Sequence, residues 1–550
     1  TVRQLIDIQL DRLEAQEQRV LEAASLVGPV FSIGLVAAAL GITVEQVEEV
    51  CVGLAQRALF LIYAGEEEWP NGAIHMRYGV THALVQEVCF ARCPTSRRSR
   101  WHRSIAEHLE AATGERAGEM AHVLATHFEQ AQLVARAVHY YVIAGTRTAS
   151  RFSLADASRL YHRANALIAR LPETGERDAI ELRVLVGMSQ AVTLSSDRTR
   201  HVAVEQFERM ITIARRLVDL PQLYSATVNL YFRHGTLAEY AAADVIEREL
   251  EALEQASPVE PKLRLFADGA RGIHAMWKGE LHTGLALLEP ITSDRANTGP
   301  IGGILGQADR VAFLLIYQCT MRWASGDAEV AIEEANRGVA QAIRIGDPYT
   351  LGATLCILAR LHFLRRDDPR EVREAADRVA TIPEADVWYT QAALYAAAAR
   401  SQQTGPLPQA EIDELARMFE HRTGTFPMGA PALALPLVEI LRIAGQLARA
   451  AALVETMLAF IEAHREFLLE PELLRLRGEL VEEANPAAAA AAYAQAVTSA
   501  RLRSARSFEL RAAIRLARLR PEQLPQLATV VATFAKSTSR DVAEARALLA

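Results

Sequence analysis

The stretch VARAVHYYVIAGTRTASRF (134–152), continued by SLADASRLYHRANALIARLP (153–172), decides the fold. It reads as two amphipathic helices with small residues at set places. Gly145 interrupts the first; Ala157, then Tyr161 and Ala164, mark the second. Small residues let two helices approach, the aromatic fills the gap to the next pair, and Pro172 stops the second helix. The phase returns four times. Gly272, Gly279, Gly284 and Leu288 carry it in LFADGARGIHAMWKGELHTGLALLEPI, and Gly326, Ala331 and Ala335 in WASGDAEVAIEEANRG. Gly445, Ala450 and Val454 repeat it in IAGQLARAAALVETM. Gly478, Ala489, Tyr493 and Ala496 follow in LLRLRGELVEEANPAAAAAAYAQAV, one residue out of strict phase. Looser pairs fall around 179–218, 222–256, 349–380 and 386–421.

With Tyr141 set at position 4, Gly145, Ala157, Tyr161 and Ala164 occupy positions 8, 20, 24 and 27 of the tetratricopeptide repeat, which this pattern resembles. The expected fold is therefore all-α: a tetratricopeptide-like α-solenoid, a superhelix of about ten helix pairs over residues 111–550, preceded by a small separate domain. Such a solenoid leaves a long groove that takes a protein, a peptide or a small-molecule ligand and supplies no chemistry of its own. Trp277, Trp323 and Trp388 fall on successive repeats and read as inter-helix packing.

Composition agrees. Half of the 550 residues are hydrophobic and 23% are charged, a globular balance, and alanine-rich chains favour helix. A net charge of −8 gives no footprint for nucleic acid. The five cysteines (51, 89, 93, 319 and 356) are odd in number and lie mostly on apolar helix faces, as buried thiols of a reducing cytoplasm do. Ala23–Val44 is uncharged and nominally long enough to span a bilayer, but Gly28-Pro29 breaks it into two short core helices, so no membrane association is expected.

Residues 1–110 follow another pattern. Helices are expected at 2–14, 16–27, 32–40 and 43–57. A hairpin then runs from ALFLIYA through EEEWPNG to IHMRYGV, and THALVQEVCFARC and RRSRWHRSIAEHLEAAT form further helices. Three helices followed by a two-stranded wing make a winged-helix domain.

LIDIQLDRLEAQEQRVLEAASLVGPVF, MRYGVTHALVQEVCF, RRSRWHRSIAEHLE and the tail SFELRAAIRLARL together resemble the C-terminal region of bacterial STAND-type signalling ATPases of the LuxR-like, AfsR-like and cyclase-linked kinds. There a winged helix links a nucleotide-binding domain to a tetratricopeptide sensor. The resemblance implies ADP or ATP in the full-length protein, an N-terminal nucleotide-binding module beyond this chain, and a phosphate-sensing role for His82. An imidazole N–H at a helix start adds to a dipole that already favours anions. The family carries an aromatic two residues before this histidine. Val80 stands there instead, which puts the match at that position in doubt.

No catalytic motif appears. A P-loop needs Gly-x-x-x-x-Gly-Lys-Ser/Thr. The three lysines are Lys262, Lys278 and Lys536; only Lys536 precedes a serine, and VVATFAKS has no glycine. GPIGGILG (299–306) reads as an inter-repeat loop. Cys89 and Cys93 sit one helical turn apart with His82 and His102 nearby in sequence, but a zinc site needs four converging ligands and the pair lies on the apolar face of VQEVCFARC, so buried thiols are expected. Arg97, Arg98, Arg100 and Arg103 invite a DNA reading. Residues 1–110 nevertheless hold ten Arg against fourteen Asp and Glu, the wrong sign for phosphate. The expected function is a non-enzymatic sensor arm. The alternatives are a freestanding scaffold for protein–protein interaction and a DNA-binding transcriptional regulator.

Overall fold

The computed structural model describes residues 2–69, 72–150, 153–192, 200–300, 308–382, 386–534 and 537–550. They form two compact units, Thr1–Ser195 and Ser196–Ala550.

The first unit opens with α1 (Val2–Asp11), α2 (Ala15–Val27), β1 (Val30–Ser32), α3 (Ile33–Leu40) and α4 (Val44–Gln56). Then come β2 (Leu61–Glu68), β3 (Ile74–Val80), α5 (Ala83–Arg92) and α6 (Thr95–Thr113). Local chemistry sets the boundaries. Glu14 with Glu17, and Thr43 with Gln46, cap α2 and α4 reciprocally, and Gly41 ends α3 at φ +67°. The expected hairpin is present, and GPVFS adds a third strand that alternation does not reveal in so short a run. β1 and β2 flank β3, both antiparallel, with Val30 and Ile62 opposite Gly79. Phe31 and Tyr78 turn the other way, into the core beneath α2 and α3.

Helices α7 (Ala121–Gln130), α8 (Val134–Ala149), α9 (Leu154–Ile168) and α10 (Gly175–Val192) complete this unit as antiparallel neighbours. Tyr161 explains the spacing of small and aromatic residues in 134–172. Its ring lies fully buried between Gly145 of α8 and Gly187 of α10, and a methyl group on Gly145 would meet it at 2.8 Å. An alanine at either position would overpack the joint, at a cost of about 1–3 kcal/mol.

The second unit holds α11 (Arg200–Leu217), α12 (Leu220–Thr236), α13 (Tyr240–Ala256), α14 (Pro261–Lys278), α15 (Leu281–Ser293) and α16 (Arg310–Ala324). α17 (Ala328–Ile345), α18 (Pro348–Arg365), α19 (Pro369–Ala380), α20 (Asp386–Thr404), α21 (Gln409–Thr425) and α22 (Ala430–Ile443) continue it. α23 (Leu447–His464), α24 (Glu470–Val481), α25 (Pro486–Leu502), α26 (Arg506–Leu519), α27 (Leu524–Ala532) and α28 (Arg540–Leu549) end it. Even-numbered helices α12 to α22 pack on one another in turn, each backed by its odd-numbered partner. The small-to-large joint recurs where Leu288 fills the space over Gly272, and where Tyr493 would stand 2.5 Å from a methyl on Gly478. The chain is an all-α, tetratricopeptide-like helical-repeat protein with a small sheet near its start.

The second unit coils until its late repeats meet its early ones. Met428 N–H donates to the Thr236 carbonyl at 3.3 Å, and His464 Nδ1–H to that of Ala238 at 2.9 Å. Ser507 Oγ donates to the Trp323 carbonyl, and Arg511 to that of Leu364. Glu329 accepts from Ser537 Oγ and Thr538 N–H, both at 3.0 Å. Helical periodicity speaks only of neighbours, so the sequence carries no sign of this seam.

Candidate functional site

His82 caps α5. Its backbone is extended, its ring is exposed, and Nδ1 accepts from Leu84 N–H at 3.1 Å. With Nδ1 accepting, Nε2 carries the proton of the neutral ring and is the nitrogen able to donate to an anion. Thr81 precedes it, fixed by its N–H on the Phe60 carbonyl at 2.8 Å. Val30 (42% exposed) and Ile62 (55%) stand beside Gly79 on the open sheet face leading to this point. α1 presents a second open stripe, Val2, Leu5 and Ile8.

The cysteines are buried thiols, and burial pushes Cys89 up to about 12, the opposite of a metal-ready thiolate. His102 pairs with His127, Nδ1 to Nδ1 at 2.8 Å. Burial, the neighbouring His127 and Arg98 pull His102 down to about 3, and burial pulls His127 to about 4. Both rings stay neutral. α4, the helix before the β2–β3 hairpin, contains Glu45, Glu48 and Glu49 and no arginine or lysine, a poor face for DNA. Arg97 is committed to Glu22, and Arg98 lies over the Phe90 ring. Lys536 and positions 301–306 of the glycine-rich loop lie outside the described residues.

The three tryptophans are buried. Trp323 packs edge-on against Phe508 at the seam, Trp388 meets Tyr349, and Trp277 lies under the Arg360 guanidinium, 5.6 Å from ring centre to charge. Around them sit ionisable groups that the sequence does not distinguish from surface ones. Arg360 is 5% exposed, donates to Thr320 Oγ1 at 2.9 Å, and leaves Nε without an acceptor. Arg422, half-buried, lies over the Phe426 ring and donates to that residue's carbonyl. Burial pulls its guanidinium down to about 10. Glu466, 1% exposed, accepts from Gly429 N–H at 2.9 Å. Burial holds this carboxyl well above the usual range, opposite Tyr240.

Among the described residues one group has metal-ligand types together: His362, Asp367 and Glu371, with His362 Nδ1 at 2.8 and 3.1 Å from the two carboxylates. The spacing His-x4-Asp-x3-Glu is the sequence signal for it. Arg365 already occupies Asp367 at 2.8 Å, and His234 makes the same bond to Glu239 in the α12–α13 turn. The motif is a repeat-turn clasp. An open groove of about 830 Å³ runs between α23, α24 and α25, floored by Leu458, Leu474 and Phe467, with Glu462 on its rim.

No family model matches the chain. A protein of Rhizobium meliloti (strain 1021), described only as uncharacterized, is 29% identical over 143 residues. That match takes in 25% of this chain and 14% of the relative's own length. Among solved structures, Rap protein complexed with competence and sporulation factor aligns with TM-score 0.44 and 10% identity, over 67% of this chain and 98% of that one. The Cut9–Hcn1 assembly of APC/C aligns with TM-score 0.41 and 9% identity, over 85% and 91%. A signal transduction ATPase with numerous domains carrying a tetratricopeptide repeat sensor, from Pyrococcus horikoshii, aligns with TM-score 0.26 and 11% identity. There the match takes in 97% of this chain and 66% of that one. Among the described residues no helix is long and apolar enough to cross a membrane.

Proposed function

We propose that this chain is the regulatory arm of a cytoplasmic STAND-type signalling ATPase. Residues 1–110 act as a winged helix and residues 111–550 as a tetratricopeptide sensor. One observation carries the reading: α2, α3 and α4 with a sheet ordered β1-β3-β2, running directly into an exposed Thr81–His82 cap. The apolar stripe of α1 and the Val30–Ile62 row are surfaces a nucleotide-binding module would cover. In this scheme ligand binding to the repeats shifts the winged helix, and His82 Nε2–H releases the phosphate of bound ADP.

The test uses the protein with its nucleotide-binding module attached. His82→Ala removes one hydrogen bond to a charged group, so ADP should dissociate about 10-fold faster or more. Unchanged release sinks the role. The groove between α23 and α25 favours a second reading, a freestanding scaffold that seats a partner helix. A P-loop encoded upstream of Thr1 supports the first reading, and a start codon immediately upstream supports the second.

A further inference from the structure

We infer that the groove between α23 and α25 seats a short amphipathic helix of a partner protein, apolar on its buried face and carrying a lysine or arginine that meets Glu462. The repeat stacking changes where this groove opens. Even-numbered helices pack on one another from α12 to α22, but the turn Phe467–Leu469 comes between α23 and α24 and packs on α14. α24 becomes the floor between two walls. The lining runs from Glu455 to Glu462 on α23 and from Ala494 to Leu502 on α25, about two helical turns. Leu458 and Leu474 are its deepest apolar groups. Ala459 and Ala494, one on each wall and both exposed, take up little room, so a third helix can come to the usual packing distance. Leu502, 80% exposed, adds an apolar lip at one end.

The occupant has to be helical. Walls made of helix interiors have no spare backbone N–H or C=O to offer. An extended segment would bury its own peptide groups unpaired, whereas a helix brings them already bonded. The groove is open along its length, so it does not enclose a small molecule. The sign of the partner's charge follows from what the groove leaves unanswered. Arg477 binds Glu455 through two bonds of 2.6 and 2.7 Å, and Arg503 binds Glu470 at 2.9 Å. Beyond the rim, Arg465 reaches Asp244 and Arg501 binds Glu509. Of the charged side chains that line the groove, Glu462 is the one with no ion pair among the described residues. Arg503 lies in its field but is committed to Glu470. Glu462 is exposed, near the C-termini of α23 and α25, whose dipoles add negative potential at that end. A cationic side chain one turn beyond the apolar anchors would answer both.

This names the partner chemistry that the scaffold reading leaves open, and it rests on that reading in taking the groove as a seat. The experiment selects a displayed library of amphipathic helices, about fourteen residues long, on the whole chain. Leucine is fixed at i, i+3, i+4 and i+7, and the flanking positions vary among lysine, glutamate and glutamine. Peptides with lysine at one end should be enriched. The best of them, titrated by fluorescence anisotropy, should bind about 2–5-fold more weakly to Glu462→Gln and lose that difference in high salt. Selection on Glu462→Lys should enrich glutamate instead, and Ala494→Trp should block binding by bulk. Both positions are exposed, circular dichroism checks that each variant folds, and the wild-type selection needs no substitution.

No enrichment on the wild-type chain overturns the proposal, as does equal enrichment of lysine and glutamate peptides or undiminished binding to Ala494→Trp. Equal binding of a peptide broken by a central proline would make the occupant an extended segment, and self-association blocked by Ala494→Trp would make it a second copy; either result overturns the proposal too. A P-loop upstream of Thr1 removes the freestanding scaffold without touching the groove. An empty selection removes the helix from the groove whatever lies upstream.

Discussion

Two arginine environments lie within the second unit and differ in one respect. Arg511, at the seam, is as buried as Arg360, yet it donates to Asp541 Oδ2 at 2.7 Å and to the Leu364 carbonyl, with Glu472 at 3.6 Å. Its charge is fully answered by the fold. Arg360 and Arg422 have no such answer. A buried charge with ionic partners ties distant elements together, whereas one answered only by a hydroxyl or carbonyl and an aromatic face does not.

The largest way to break this contrast is Arg511→Ala. It takes from Asp541, itself 5% exposed, one of two arginine partners, leaving Arg366 at 2.9 Å, and removes the seam bond to Leu364, so the second unit should lose about 3 kcal/mol in denaturant unfolding. A loss under 1 kcal/mol would mean that the seam does not hold the coil.

The first unit supplies a neutral counterpart in His102 and His127. Their folded values lie below the ordinary 6.5, so the unfolded chain takes up protons first as pH falls. Stability is whole above about pH 6.5 and declines through the window down to 4. The slope approaches two protons, about 2.7 kcal/mol per pH unit. Amide exchange in α6 and α7 against pH reads this directly, and a flat profile would contradict the neutral pairing.

Glu466 gives the smallest and sharpest test, because it is an unpaired acid. Its folded value is raised, so the unfolded chain ionises first as pH climbs above about 4.5, and the native fold loses stability from there upward. Glu466→Gln keeps an acceptor for Gly429 N–H. It should gain roughly 1–2 kcal/mol at pH 8 and nothing at pH 4. Equal stability of the two chains at both pH values would show the carboxyl to be solvated.

Much of the fold is legible because its joints are local. Gly145 and Tyr161 are sixteen residues apart, and steric fit between a glycine and a ring leaves a readable spacing. The hairpin shows through the alternation of its two strands. β1 does not, since three residues carry no period. The cap at His82 was legible as a helix start. The interior cluster was not: Arg360 follows Ala359 in an apolar helix, and nothing in one helix says that a distant Asp541 answers Arg511 and leaves Arg360 alone. Charge compensation is a tertiary property.

The seam has a kinetic corollary. In an open repeat array each pair leans only on its neighbours, so folding can start anywhere and arrays tolerate loss of a terminal pair. Here Thr236, Trp323 and Leu364 wait for residues from Met428 to Arg511 before their carbonyls are satisfied. Those contacts are far apart along the chain, which slows folding and makes it cooperative. On a ribosome, the early repeats of this unit would stay unfinished until nearly the whole chain has emerged.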